Sequence, residues 1–339
     1  MKVLVTGAAG FIGSNFLYLL SEVRPEWKVT ALDLLTYAGN YRTIAPLIDE
    51  HKAVFERVDI TDFESVTKLF ARDQYDLVFH FAAESHVDRS IESAAAFVKT
   101  NVLGTQNLVD AARRFAVKRF IHISTDEVYG SLGETGRFLE TTPLDPSSPY
   151  SASKASSDLL VLAAHKTHGF PAMVTRCTNN YGPYQFPEKF IPLFVTNAME
   201  DRSLPLYGDG MNVRSWIHVK DHNEAVLCIA EKGRVGEIYN IGGMAEAELP
   251  NRIVAETIVK ALGKSPSLIQ YVTDRLGHDR RYAVDANKLL SELGWKPRIP
   301  FSEGLLETIT WYANNQSWWR EIKSGEYAAY YERMYSHRS

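Results

Sequence analysis

Val3-Leu4-Val5-Thr6-Gly7-Ala8-Ala9-Gly10-Phe11-Ile12-Gly13 decides the fold. The apolar run Lys2–Thr6 reads as a strand, and Ile12–Glu22, with Phe16, Leu17, Leu19 and Leu20 turned inward, reads as a helix. Gly7, Gly10 and Gly13 lie between them as Gly-x-x-Gly-x-x-Gly. Glycine permits a tight turn and a close approach of backbone amides to a pyrophosphate, and the helix N-terminus adds partial positive charge. The spacing departs from the simple Gly-x-Gly-x-x-Gly fingerprint, so position has to strengthen it. The motif follows the first strand directly, and Asp33 closes a second predicted strand, Lys28–Asp33, about 20 residues past the last glycine. A carboxylate there accepts hydrogen bonds from both ribose hydroxyls and repels a 2′-phosphate, which favours NAD over NADP.

The alternation continues outward. Ala53–Asp59, Leu77–Ala83, Arg119–Ser124 and Ala172–Arg176 read as strands; Asp62–Arg72, Ala95–Phe115 and Ser151–His168 read as helices. Leu77–Ala83 is continuously apolar, as expected where both faces of a parallel sheet are covered. The pattern predicts an α/β fold: a Rossmann-type doubly wound parallel sheet with a smaller, interleaved C-terminal substrate-binding lobe. Residues 1–180 are expected to form the NAD-binding domain, with later segments at about 215–245 interleaved, and residues 181–339 mainly the second lobe. Beyond about Asn180, prolines at 183, 187, 192, 205 and 250 break the pattern into short elements such as Ser215–Val219, His222–Glu231, Ile238–Ile241 and Arg252–Leu262. The Trp- and Tyr-rich stretch Trp311–Tyr335 reads as an amphipathic helix packed back on the body.

The formal net charge of −4 gives no global attraction to nucleic acid or an anionic membrane, so neither is expected as a partner. Cys177 and Cys228 lack disulfide or metal spacing and read as reduced thiols, and the candidate sites include no metal. The N-terminus carries no basic region followed by an apolar stretch, and no window approaches a membrane span. A cytoplasmic protein is expected.

Tyr150 and Lys154 stand one helical turn apart on one face. A lysine ammonium beside a phenol, helped by a positive nicotinamide, favours phenolate, a competent base for a sugar hydroxyl. The hydroxyl of Thr125, after the strand Arg119–Ser124, can bond both substrate and Tyr150. Asp126 and Glu127 follow at the carboxyl edge of the sheet, where clefts form. Two adjacent acids in a poorly hydrated site can hold opposite protonation states, one donating a proton and one removing one. With the Tyr/Lys pair they can oxidise an alcohol, expel water from neighbouring carbons and return the hydride. Elsewhere in the cleft, Asp59 and Ile60 flank the adenine or simply precede the helix start at Asp62. Ala82 and Ala83 let the nicotinamide side pass close to the backbone. Phe11, Ile12, Leu34, Thr36, Ser85 and Thr100 complete the candidate cofactor contacts.

These residues resemble the extended short-chain dehydrogenase/reductase family and, within it, the dTDP-glucose 4,6-dehydratases. The likeness runs from Val3 to about Tyr312. It is carried by Thr6–Gly13, Ala82–Ser90, Thr125–Gly130, Tyr150–Lys154, Asn179–Pro183, Phe186–Pro192 and Arg275–Tyr282. The resemblance implies that Tyr150, with Lys154 and Thr125, takes the 4-hydroxyl proton as hydride passes to NAD. Glu127 then removes the carbon-5 proton, Asp126 protonates the departing 6-hydroxyl, and the hydride returns to carbon 6. It implies nucleotide contacts from Asn179, Lys189, Arg214, Asn251, Arg275 and His278, with Pro205-Leu206-Tyr207 beside the base and Asn180 near the nicotinamide. Ser85, His86 and Phe190 are further substrate candidates. Two departures stand out: the stretch Gly242–Asn251 is longer than the family pattern, and Leu276 replaces a common proline.

Helices Ala95–Phe115 and Ser151–Thr167 carry apolar residues on more than one face, and the resemblance implies a homodimer through a four-helix bundle. Two alternatives remain within the enzyme class: a dehydratase of a UDP-, CDP- or GDP-linked sugar, and a carbon-4 epimerase. The Asp126/Glu127 pair argues against the epimerase. Completeness of the Tyr/Lys/Asp/Glu set argues against a non-catalytic binding protein.

Overall fold

The structure is a computed structural model, and it describes residues 1–274 and 276–324. Arg275 and the end of the Trp/Tyr-rich stretch lie outside the described residues.

Seven parallel strands form the central sheet. They are β1 (Lys2–Thr6), β2 (Lys28–Leu32), β3 (Ala53–Glu56), β4 (Leu77–His80), β5 (Arg119–Thr125), β6 (Ala172–Cys177) and Ile238–Ile241. From edge to edge the order is Ile238–Ile241, β6, β5, β4, β1, β2, β3. The order reverses at β1, which pairs with β2 on one side and β4 on the other, so a crevice opens where their carboxyl ends diverge. This is the predicted doubly wound sheet.

The apolar faces explain the layering. Phe16 and Leu20 of helix Phe11–Val23, with Ala225 and Ile229 of helix Val219–Lys232, cover one face of the sheet. Val66 and Phe70 of helix Phe63–Asp73, Leu108 and Ala112 of helix Thr105–Arg114, and Val161 of helix Pro149–His168 cover the other. β4 is buried along its whole length, as its uninterrupted apolar run requires.

Several local expectations needed correction, and the strand expected over Ala53–Asp59 stops at Glu56. The helix expected over Ala95–Phe115 is broken by a wide π-type turn, Val98–Gly104. There Thr105 Oγ1 bonds the Asn101 carbonyl at 2.6 Å, and the Asn101 side chain holds both backbone groups of Glu84. The strand expected over Leu77–Ala83 stops at His80, because its neighbour β1 ends at Thr6 and the chain then turns into the crevice. Helices Tyr41–Asp49, which contains Pro46, and Val87–Glu92 were not anticipated.

Apart from the central sheet there are a three-stranded sheet of Glu248–Pro250, Val213–His218 and Asn179–Tyr181, and a two-stranded one of Ile269–Val272 and Leu204–Tyr207. The core of the second lobe joins Phe194, Trp216, Val254 and Leu305 to the fully buried Trp319. Within the described part of the aromatic stretch, helix Gln316–Lys323 thus packs back on the body.

Candidate active site

Gly7 carries the chain out of β1 at φ +67°, and a Cβ there would lie 2.6 Å from the Ala82 amide nitrogen. A Cβ on Gly13 would lie 2.2 Å from the Gly7 carbonyl oxygen. Both glycines are therefore required for strand, turn and helix to approach this closely. Asp33 follows β2 with its carboxylate accepting from the Ala9 amide at 2.9 Å and the Leu35 amide at 2.8 Å. Burial raises its pKa, and the amide hydrogen bonds oppose that rise. Asp59 accepts from the Thr61 amide at 2.8 Å, while Asp62 is the helix N-cap; Asp59 and Ile60 nevertheless face the crevice.

One cavity of about 480 Å³ runs from these residues to the carboxyl end of β5. It brings together Gly7, Gly10, Phe11, Ile12, Gly13, Asp33, Leu34, Thr36, Asp59, Ile60, Ala82, Ala83, Ser85 and Thr100 with Thr125, Asp126, Glu127, Tyr150, Lys154, Asn179, Asn180 and Lys189. An NAD molecule fits this donor set. The glycine cradle would hold a diphosphate, Asp33 a ribose, and Tyr150 with Lys154 the nicotinamide end.

Local sequence positions the reactive groups. Ser148 caps the helix Pro149–His168 in a reciprocal capping box with Ser151, and Pro149 occupies its first turn. Tyr150 therefore enters the cleft from a fixed helix start, and Lys154 follows on the same face. The Lys154 ammonium donates to the Ile123 carbonyl at 2.8 Å, and burial pushes its pKa down to about 8. The Tyr150 phenol is raised well above its ordinary pKa by burial and the nearby Glu127, while the Thr125 hydroxyl bond opposes the rise. The lowered Tyr150 pKa expected from the sequence is therefore not found in the protein by itself.

β5 ends at Thr125 and turns at once into a single helical turn, Asp126–Tyr129. Thr125 Oγ1 accepts from the Glu127 amide at 3.3 Å and donates to Asp126 Oδ1 at 3.3 Å. Asp126 is 1% exposed, and among the described residues its Oδ2 has no hydrogen-bond partner. Burial, then the charge of Glu127, raises its pKa to about 8, with Arg214 acting in the opposite direction. Asp126 is therefore a carboxylic acid at neutral pH, held beside a second acidic side chain.

The remaining candidates do not line this cavity. His86 and Arg89 pair with Glu188, at 3.4 Å and 2.8 Å. Phe190 stacks on Trp216. Pro205 and Tyr207 lie in the strand Leu204–Tyr207, and the Tyr207 ring meets that of His278 edge-on. Arg214 is buried, not a surface residue; its guanidinium lies 4.4 Å from the Tyr282 ring centre and bonds the Asp279 carbonyl at 3.0 Å. The long Gly242–Asn251 stretch forms a short strand against Val213–Ser215, so Asn251 opens a helix beside Asn212. The side-chain oxygens of Asn212 and Asn251 are both buried and, among the described residues, lack hydrogen-bond partners. Arg275 lies outside the described residues.

Lining residues that sequence reasoning missed include Thr61, Lys99, Cys177, Gln185 and Phe186. Lys99 reaches the cavity from the π-type turn, for which the sequence carried no signal. Cys177, expected as a core thiol, is buried and also faces the site; burial and the charge of Asp126 push its pKa up to about 12.

A family model described as GDP-mannose 4,6 dehydratase matches residues 4–308. The dTDP-glucose 4,6-dehydratase of Streptomyces niveus is 51% identical over 332 residues, covering 97% of each chain. Among solved structures, the dTDP-glucose 4,6-dehydratase DesIV of Streptomyces venezuelae, crystallised with NAD and a second ligand, superposes with a TM-score of 0.91 at 48% identity. The match covers 95% of this chain and all of that one. The UDP-glucose 4-epimerase of Thermus thermophilus, also solved with NAD, has a TM-score of 0.86 at 31% identity, covering 93% of this chain and all of that one. With the NAD cradle, the Tyr150/Lys154 pair and the two acids converging on one cleft, this chain belongs to the dTDP-glucose 4,6-dehydratase family.

Proposed function

We propose that the protein converts dTDP-glucose to dTDP-4-keto-6-deoxyglucose by oxidation at carbon 4, elimination of water across carbons 5 and 6, and reduction at carbon 6. The observation that carries this reading is the buried, protonated Asp126 beside Glu127 in the cavity that also holds Tyr150 and Lys154. A carbon-4 epimerase needs a single base; a dehydratase needs a base and an acid on neighbouring carbons.

When bound, NAD supplies the hydride acceptor at carbon 4 and the hydride donor at carbon 6. Tyr150, bonded by Thr125 and close to Lys154, accepts the 4-hydroxyl proton. The resulting ketone acidifies the carbon-5 proton, which Glu127 removes. Asp126 donates its proton to the 6-hydroxyl, and water leaves. After hydride returns to carbon 6, Glu127, its proton exchanged with solvent, reprotonates carbon 5 and the carbon-4 ketone remains; Tyr150 gives up its proton and Asp126 regains one through solvent before the next turnover. Burial around Asp126 and Tyr150 excludes competing water from these transfers.

We assign the nucleotide to the second lobe, with Lys189, Arg214, Asn251, Tyr207 and His278 as its candidate contacts and Arg275 joining by resemblance. Residues 1–180 hold the cofactor and 181–339 chiefly the sugar nucleotide. A homodimer is part of this reading, supported by Val98, Leu103 and Leu159, which are 55%, 48% and 58% exposed on the two helical segments expected to pair. Leu159→Glu should shift sedimentation from dimer to monomer.

Product analysis tests the function. Incubated with dTDP-glucose in heavy water, the protein should yield a 4-keto-6-deoxy sugar carrying deuterium at carbon 5. A galactose-configured, unlabelled product would replace this reading with epimerisation. Faster turnover of UDP-glucose would change the base assignment.

A further inference from the structure

Among the described residues, Arg176 and Asp158 form the most deeply buried arginine–carboxylate pair, with side chains 2% and 0% exposed. Arg176 Nε donates to Asp158 Oδ2 at 2.9 Å. Neither residue lines the active-site cavity. A buried ion pair is often no more stabilising than well-packed apolar residues, because both charges lose their hydration. Its placement is more informative than its energy.

Asp158 lies one turn beyond Lys154 and two beyond Tyr150, on the same face of one helix. Its charge also favours the Lys154 ammonium. Arg176 lies on β6, paired in register with Ser124, two residues before Asp126 at the start of the acid-bearing turn. The carbon of its guanidinium sits 4.8 Å from the ring centre of Tyr129, the last residue of that turn. Tyr129 is anchored at its far end by donating to Asn240 Oδ1 at 2.8 Å. One cation therefore touches the helix that presents Tyr150 and the turn that presents Asp126 and Glu127. From β5, His122 Nε2 lies 3.3 Å from Asp158 Oδ1 and 3.1 Å from Ser157 Oγ on the same helix.

We propose that Arg176 is a positioning residue. Through Asp158 and Tyr129 it holds the redox pair and the acid–base pair in register around a single sugar ring, so that oxidation at carbon 4 and elimination at carbons 5 and 6 occur without repositioning the substrate. This inference rests on the dehydratase reading. It assigns Arg176, Asp158 and Tyr129 no contact with substrate or cofactor.

Three variants test it: Tyr129→Leu removes the ring face, Tyr129→Phe keeps that face and loses only the hydroxyl, and Arg176→Met removes the cation. After rapid mixing with dTDP-glucose, the absorbance of reduced nicotinamide reports oxidation. Deuterium uptake at carbon 5 with loss of the 6-hydroxyl reports elimination, and calorimetry with dTDP reports nucleotide binding. In Tyr129→Leu and Arg176→Met, elimination should slow about 10- to 100-fold while oxidation stays within about threefold, so that reduced nicotinamide accumulates. Binding of dTDP should be unchanged, and Tyr129→Phe should retain most of the elimination rate. If Arg176→Met fails to fold, the two Tyr129 variants carry the test. Parallel slowing of both steps, no slowing of either, or equal loss in Tyr129→Phe and Tyr129→Leu overturns the proposal. An unmodified protein that leaves dTDP-glucose unchanged refutes the functional reading, and this inference with it. An active unmodified protein whose variants lose both steps together refutes the positioning role alone.

Discussion

Asp126→Asn keeps the shape of the buried side chain and removes its proton equilibrium. In the folded protein the Asp126 pKa rises from 3.8 to about 8, through burial first and Glu127 second. Between these values the folded state holds a proton that the unfolded chain releases. The associated stability is fully present below about pH 4 and is lost as pH rises through about 8. Each unit is worth about 1.4 kcal/mol, so the loss amounts to about 4 kcal/mol by pH 7. Asparagine has no such loss, although its amide, placed where Oδ2 finds no partner among the described residues, carries a pH-independent cost of about 1–3 kcal/mol. The informative quantity is therefore the slope. Measured by urea unfolding at several pH values, the variant should gain on the parent by about 1.4 kcal/mol per unit between about pH 5 and 8. The same variant should oxidise carbon 4 and fail to expel water, since an amide cannot protonate the leaving hydroxyl. A stability difference that stays flat across this range would refute the argument that burial keeps Asp126 protonated.

Other consequences are open to direct measurement. Glu127→Gln should bind NAD and dTDP-glucose like the parent yet form no 4-keto-6-deoxy product, with no solvent deuterium entering carbon 5 by NMR; full turnover would remove Glu127 from the mechanism. Asp33→Ser removes a charged acceptor of the ribose hydroxyls, so NAD should bind about 10- to 100-fold more weakly and NADP more tightly, as read by calorimetry. Gly13→Ala places a Cβ 2.2 Å from the Gly7 carbonyl oxygen, so cofactor affinity should fall and thermal unfolding should report a loss of about 1–3 kcal/mol.

The parallel sheet was readable because its signals are local. The apolar runs at Lys2–Thr6 and Leu77–His80 and the apolar stripe around Phe16 and Leu20 need no knowledge of distant residues. Glycine at 7 and 13 and the carboxylate at 33 were equally legible, since chain geometry and charge dictate them. The break in the helix near Val98 was not, because a π-type turn is set by what it packs against: Asn101 reaches across to Glu84, and Gly104 sits against Ile60. The helix Tyr41–Asp49 is short and carries Pro46, and its buried apolar residues are only Ile44 and Leu47.

By itself, the sequence determined which reactive groups are available and roughly where each enters the fold: Thr125, Asp126 and Glu127 at a strand end, Tyr150 and Lys154 on a helix start. It also identified the dinucleotide cradle. Protonation and alignment were decided by the tertiary structure. Asp126 is an acid because segments remote in sequence exclude water from it, and Tyr150 resists ionisation for the same reason. Arg176 joins two catalytic elements only once β5 and β6 lie side by side. Desolvation and through-space charge depend on what surrounds a group in three dimensions, and residue identity and spacing do not encode that environment.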